Sequence, residues 1–225
     1  MRRCVFVLTA LLFLCTAPQG YGLITAKLPL RQVLNDATYI CTVKVETMDT
    51  DKLGAVLVVD EDLKGKFPVR RFPVNLTGDA EAKKYDHTKQ LLKRLAPRMT
   101  IVLFVNVSKE KDRVNYGVFS YSNGTWFQLL ATKAPEGEKT VFRFLHCEPY
   151  LRRTYKGTTE EMKTLINDVL AGIATPPEFN DKEAPGLGPE VMDERKEGGQ
   201  SVSLEYGALS PRSRATLPHE GAPAP

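Results

Sequence analysis

The chain has 225 residues, of which 42% are hydrophobic and 26% charged, and its 31 Lys+Arg stand against 27 Asp+Glu. That length accommodates one folded unit with extensions, and the near balance of charge argues against a nucleic-acid or acidic-membrane partner. No catalytic motif, Gly-rich phosphate loop or metal-ligand spacing stands out, so no cofactor is expected.

Residues 1–22 read as a secretory signal. Arg2 and Arg3 make a positive start, Cys4 to Ala17 an apolar run, and Gly20-Tyr21-Gly22 a small-x-small site with cleavage after Gly22. The run is shorter than the roughly 20 apolar residues a bilayer demands, and Pro18 ends it. The mature chain is therefore expected to be secreted or periplasmic, in or outside the cell envelope, with no stable membrane insertion.

A short helix is predicted from Pro29 to Asp36, with Leu30, Val33, Leu34 and Ala37 on one face. Residues 39–46 alternate as a half-buried strand, with Tyr39, Cys41, Val43 and Val45 in one phase. Residues 55–59 are apolar throughout, as in a strand covered on both sides, and this strand runs on through Leu63. A third strand, residues 70–76, carries Pro73, which fits an edge or a bulge. Residues 80–95 read as one helix capped by Asp79, with Tyr85, Thr88, Leu92 and Leu95 as its stripe.

Residues 100–107 form the clearest buried strand. Residues 113–121 and 125–131 form a hairpin around Asn123-Gly124, a step that supplies positive φ, and residues 140–147 a last strand with Phe142 and Phe144 on one face. Thr158 and Glu161 then fit a capping box. Behind them Met162, Leu165, Ile166, Val169, Leu170 and Ile173 keep helical spacing, a stripe that must lie on the sheet. From residue 176 to 225 the composition changes to eight Pro and six Gly without apolar periodicity, as expected of a disordered tail.

Three strands, a helix and more strands is the element order of the OB-fold. The expected class is α+β, mainly β: an OB-like, partly open antiparallel barrel over residues 23–175, with a helix between strands 3 and 4 and a packed C-terminal helix. Within residues 27–107, the helix, the run Asn35-Asp36-Ala37-Thr38-Tyr39-Ile40-Cys41-Thr42-Val43-Lys44-Val45 and a strand ending in Asp62-Leu63-Lys64-Gly65 resemble the start of netrin-like domains, the OB-type modules of tissue inhibitors of metalloproteinases. In those inhibitors the mature chain begins with a Cys that chelates the target's zinc. Here the first residue after cleavage is Leu23, so the resemblance implies a barrel scaffold without that chemistry. Residues 148–160 and Pro185-Gly186-Leu187-Gly188-Pro189 also resemble exported proteins of planctomycete-type bacteria.

Cys41 and Cys147 remain after cleavage, either as a disulfide, worth up to roughly 4–5 kcal/mol for so long a loop, or as two separate thiols. Cys147 is out of phase with Phe142 and Phe144, so its strand must end or bulge before it. Adjacent His146 and Cys147 point to opposite faces and do not share a metal ion easily. Pairing of Cys147 with His87, or Cys41 with His146, would make a nucleophile and base. Tyr116, Phe119, Tyr121 and Trp126 on the hairpin are the candidate interaction surface, with core packing as the alternative. Of the sequons at Asn75, Asn106 and Asn123, the hairpin-tip Asn123 is the one expected to be accessible.

These features favour an exported, non-enzymatic binding module whose partner is an envelope or extracellular protein rather than a nucleic acid. The alternatives are a secreted hydrolase using His87 or His146, and a single-stranded nucleic-acid-binding OB domain.

Overall fold

A computed structural model describes residues 22–191; apart from Gly22, the expected leader lies outside the described residues, as does the part of the expected disordered tail from 192 to 225. Seven strands close into a barrel: β1 (Tyr39–Asp49), β2 (Gly54–Lys64), β3 (Arg71–Asn75), β4 (Thr100–Glu110), β5 (Arg113–Ser122), β6 (Thr125–Thr132) and β7 (Phe142–Cys147). Their order around the wall is β1-β2-β3-β7-β6-β5-β4, with β4 returning to β1. Neighbours are antiparallel except β3 and β7, which are parallel. The fold is thus mainly β with few helices. It is a closed, mixed barrel where a partly open antiparallel one was expected, because the β5–β6 hairpin extends the second meander far enough for β7 to meet β3 in parallel.

Alternation along the strands builds two cores. On β4, Ile101, Leu103 and Val105 point into the barrel, while Val102 and Phe104 lie on the outer wall under a helical layer. This explains why β4 is apolar in both phases. On β1, Cys41, Val43 and Val45 are interior and Ile40 exterior. The layer consists of α1 (Leu30–Asp36), through Leu30, Val33 and Leu34, and the C-terminal helix α4 (Thr159–Leu170), through Met162 and Ile166. The capping box at Thr158 and Glu161 is formed.

The helix expected over residues 80–95 is two short helices, α2 (Ala80–Lys84) and α3 (His87–Leu92), broken where Asp86 adopts a left-handed φ of 56°. Asp79 caps α2 through Ala82 N–H at 2.9 Å. The break rotates the buried face: Ala82, His87 and Leu91 pack inward, while Tyr85 is 43% exposed. The stripe on α4 is likewise shorter than its periodicity: Leu165 and Val169 are half-buried, and Leu170 and Ile173 stand exposed past the barrel's edge.

Residues 176–191, assigned by composition to the tail, instead run back over the domain as a strap without helix or strand. Arg152 and Lys156 pair with Glu183 at 3.3 and 2.6 Å. Beyond this, Gly188 is buried on the β5–β6 turn, where a Cβ would stand 1.9 Å from the Asn123 carbonyl oxygen. The turn has φ 43° at Asn123 and 79° at Gly124, as the Asn-Gly step predicts. Its tip is docked rather than free. Asn123 Oδ1 accepts from Thr159 N–H and Oγ1, both at 3.0 Å, so the exposed sequon Asn is Asn75.

Candidate functional site

The hairpin aromatics are packing residues. Tyr116 faces the barrel interior; Tyr121 and Trp126 lie buried beneath the helical layer, with half-buried Phe119 against them. Their polar ends are used as well. Tyr121 Oη donates to the Gly157 carbonyl and accepts Gly124 N–H at 3.0 Å, while Trp126 Nε1 donates to the Tyr155 carbonyl at 2.9 Å. Three of the four residues expected as an interaction surface are therefore buried: Tyr116 fills the barrel interior, and Tyr121 and Trp126 form an aromatic platform for the loop leading into α4.

Cys41 and Cys147 are both free, buried thiols facing the barrel interior. Burial pushes each thiol up to about 12. A neutral thiol away from solvent is a poor nucleophile. Cys147 Sγ donates to the His87 carbonyl at 3.8 Å, and Cys147 N–H donates to His87 Nδ1 at 3.3 Å. The ring thus meets the backbone of Cys147, not its sulfur as a base would.

The bulge expected ahead of Cys147 is present. Leu129 pairs with Phe144 and Phe127 with Cys147, so β7 carries one residue more than β6 between these pairs. A bulge re-aims side chains. Here it returns Cys147 to the interior and leaves His146 in a polar cluster with groups from the α2 cap, β6 and the end of β7. His146 Nδ1 lies 2.8 Å from Asp79 Oδ2, and its Nε2 lies 3.0 Å from Glu148 Oε1. Gln128 Nε2 donates to Glu148 Oε1, and Ile24 N–H donates to Glu148 Oε2 at 2.9 Å.

His146 and Glu148 are fully buried, whereas the Asp79 side chain keeps 23% of its exposure. Burial opposes a charge on the His146 ring, but its hydrogen bonds to Glu148 and Asp79 outweigh that and raise its pKa above the ordinary imidazole value. His87 moves the other way, held low by burial and by the nearby His146 charge. An imidazole with a carboxylate on each nitrogen has no free nitrogen for a substrate or a metal ion. Among the described residues, no group of three His, Cys, Asp or Glu is arranged to hold a metal. The cluster instead ties four segments together: the N-terminal segment at Ile24, the α2 cap, β6 and the end of β7.

Sequence reasoning identified Asp79 as a cap and weighed His146 as a base for Cys41 or a hydrolase residue. It missed their partnership and the role of Glu148. The available signal was the bulge, which turns His146 out of the barrel wall.

The second feature is the strap. Gly186 N–H donates to the Pro149 carbonyl at 3.0 Å, Gly188 N–H to Thr125 Oγ1 at 3.2 Å, and Val191 N–H to the Lys93 carbonyl at 2.8 Å. Arg94 Nε and Arg152 Nη1 donate to the carbonyls of Gly188 and Leu187, at 2.8 and 3.4 Å. Leu187 packs on the barrel core. The surface below therefore holds main chain, one apolar side chain and one glycine. No family model matches the chain, and the searches of curated proteins and solved structures return no match either.

Proposed function

We propose that the protein is an exported binding module on an OB-like, netrin-like barrel, acting through contacts with an envelope or extracellular protein. The element order supports the barrel relationship: three meandering strands, helices, then a fourth strand that returns to the first, with β5 and β6 added to the second meander. The observation that carries the protein-binding reading is the strap. A surface that satisfies five main-chain groups of a six-residue stretch, fits one leucine and demands a glycine has the chemistry of peptide recognition.

In this reading the strap occupies its own docking surface and a partner segment with an apolar-Gly pair competes for it. Gly188→Val in the full chain should release the strap, because its side chain collides with the Asn123 backbone. A synthetic peptide of residues 183–191, titrated by calorimetry, should bind the variant saturably and leave the wild type, whose surface is filled, without heat. Absence of binding to a folded variant would count against the proposal, as would equal binding to both proteins.

A further inference from the structure

We propose that Glu148 is the acceptor for the α-ammonium group created when the leader is removed after Gly22, so that processing completes a buried ion cluster. The inference rests on the leader reading and is independent of the strap.

The cluster sets two acids against one basic ring: Asp79 and Glu148 both face His146. Among the described residues no Lys or Arg pairs with either acid. His87, the other nearby titratable ring, is disfavoured as a cation and uses Nδ1 to accept Cys147 N–H. Asp79 retains contact with solvent and the α2 N–H of Ala82, but Glu148 has no exposure at all. A buried charge without a counter-charge is strongly disfavoured. On Glu148, Oε1 accepts from His146 and Gln128, whereas Oε2 accepts only the neutral N–H of Ile24.

The nitrogen of Leu23 is three covalent bonds from that of Ile24, hence within about 4 Å of it. Leu23 is half-buried and Gly22 exposed, so the chain enters the cluster at this point. Cleavage after Gly22 converts the Leu23 nitrogen from a neutral amide to a cation with three donors, one residue from the N–H that Glu148 Oε2 accepts.

The test compares a chain starting at Leu23 with one retaining residues 20–22, each otherwise running to residue 225. With 15N-labelled leucine, the Leu23 amine should titrate at least one pH unit above the ordinary α-amino value of about 8, a tenfold change in proton affinity. Glu148→Gln should return it to the ordinary value, and the Leu23 chain should unfold at higher urea than the extended one. If Glu148→Gln fails to fold, the two wild-type chains decide the matter. An ordinary amine pKa with identical urea midpoints would overturn the site. N-terminal sequencing of the exported protein tests the premise separately: a start other than Leu23 refutes the leader reading, while a Leu23 start with an ordinary amine refutes the site alone.

Discussion

A carboxylate oxygen faces each ring nitrogen of His146 and favours its charged form, and removing the ring would leave Glu148 buried without that partner. Breaking a buried ion pair by deleting one partner costs about 3–5 kcal/mol, so His146→Gln should destabilise the protein by that order. The pH dependence has a definite sign. The folded pKa of His146 lies above the unfolded value of about 6.5, so its stabilisation is complete below that value and fades as pH rises through the folded one. Urea denaturation at pH 6 and pH 9 should therefore show a wild-type to variant gap that narrows at the higher pH; a gap that widens would mean the ring is neutral in the fold. The bulge behind this geometry is visible in the sequence, since Cys147 breaks phase with Phe144. The Asp79 partnership is not, because 67 residues separate the pair and only barrel closure joins them.

Among the elements, α4 shows most clearly what periodicity can and cannot tell. Its capping box and its 3.6-residue spacing are written in the sequence, because both are local. How far the apolar stripe is covered depends on where the barrel wall ends, which no local pattern contains. Ile166 is fully buried against β4 and the aromatic platform, whereas Ile173 is 78% exposed. Ile166→Ala should cost about 2–5 kcal/mol, and Ile173→Ser within about 0.5 kcal/mol of nothing, by chemical denaturation. Comparable losses at both positions would mean that the helix end is covered in solution. The split of residues 80–95 into α2 and α3 was hidden for a similar reason. An uninterrupted run of helix-compatible side chains does not record that Asp86 turns left-handed so that His87 and Leu91 can reach the core.

At the level of the whole molecule, strand order and number follow from the alternation of strands and the Asn-Gly turn, but closure depends on one joint. β3 and β7 are registered only at Val74 with Phe142 and Asn75 with Arg143, against nine registered pairs between β4 and β5. Pro73 lies at the end of this short pairing and has no N–H to extend it. Side chains close the gap. Phe142 packs on Phe72 with ring centroids 4.4 Å apart, Phe67 stands edge-on to both, and Tyr116 stacks on Phe142 from across the barrel. The sequence places Phe142 on one face of the last strand and offers Tyr116 as surface or core, but it does not mark the joint, because the parallel contact spans two meanders. A joint held by rings rather than ladder bonds should open below the free energy of global unfolding. Hydrogen exchange should therefore find β3 and β7 less protected than β4 and β5. Phe142→Ala, at a cost of about 3–5 kcal/mol, should accelerate exchange at the joint more than in the β4–β5 ladder. Equal protection of the two regions in the wild type would show that the barrel opens only as a unit, and that the parallel contact is not its weak point.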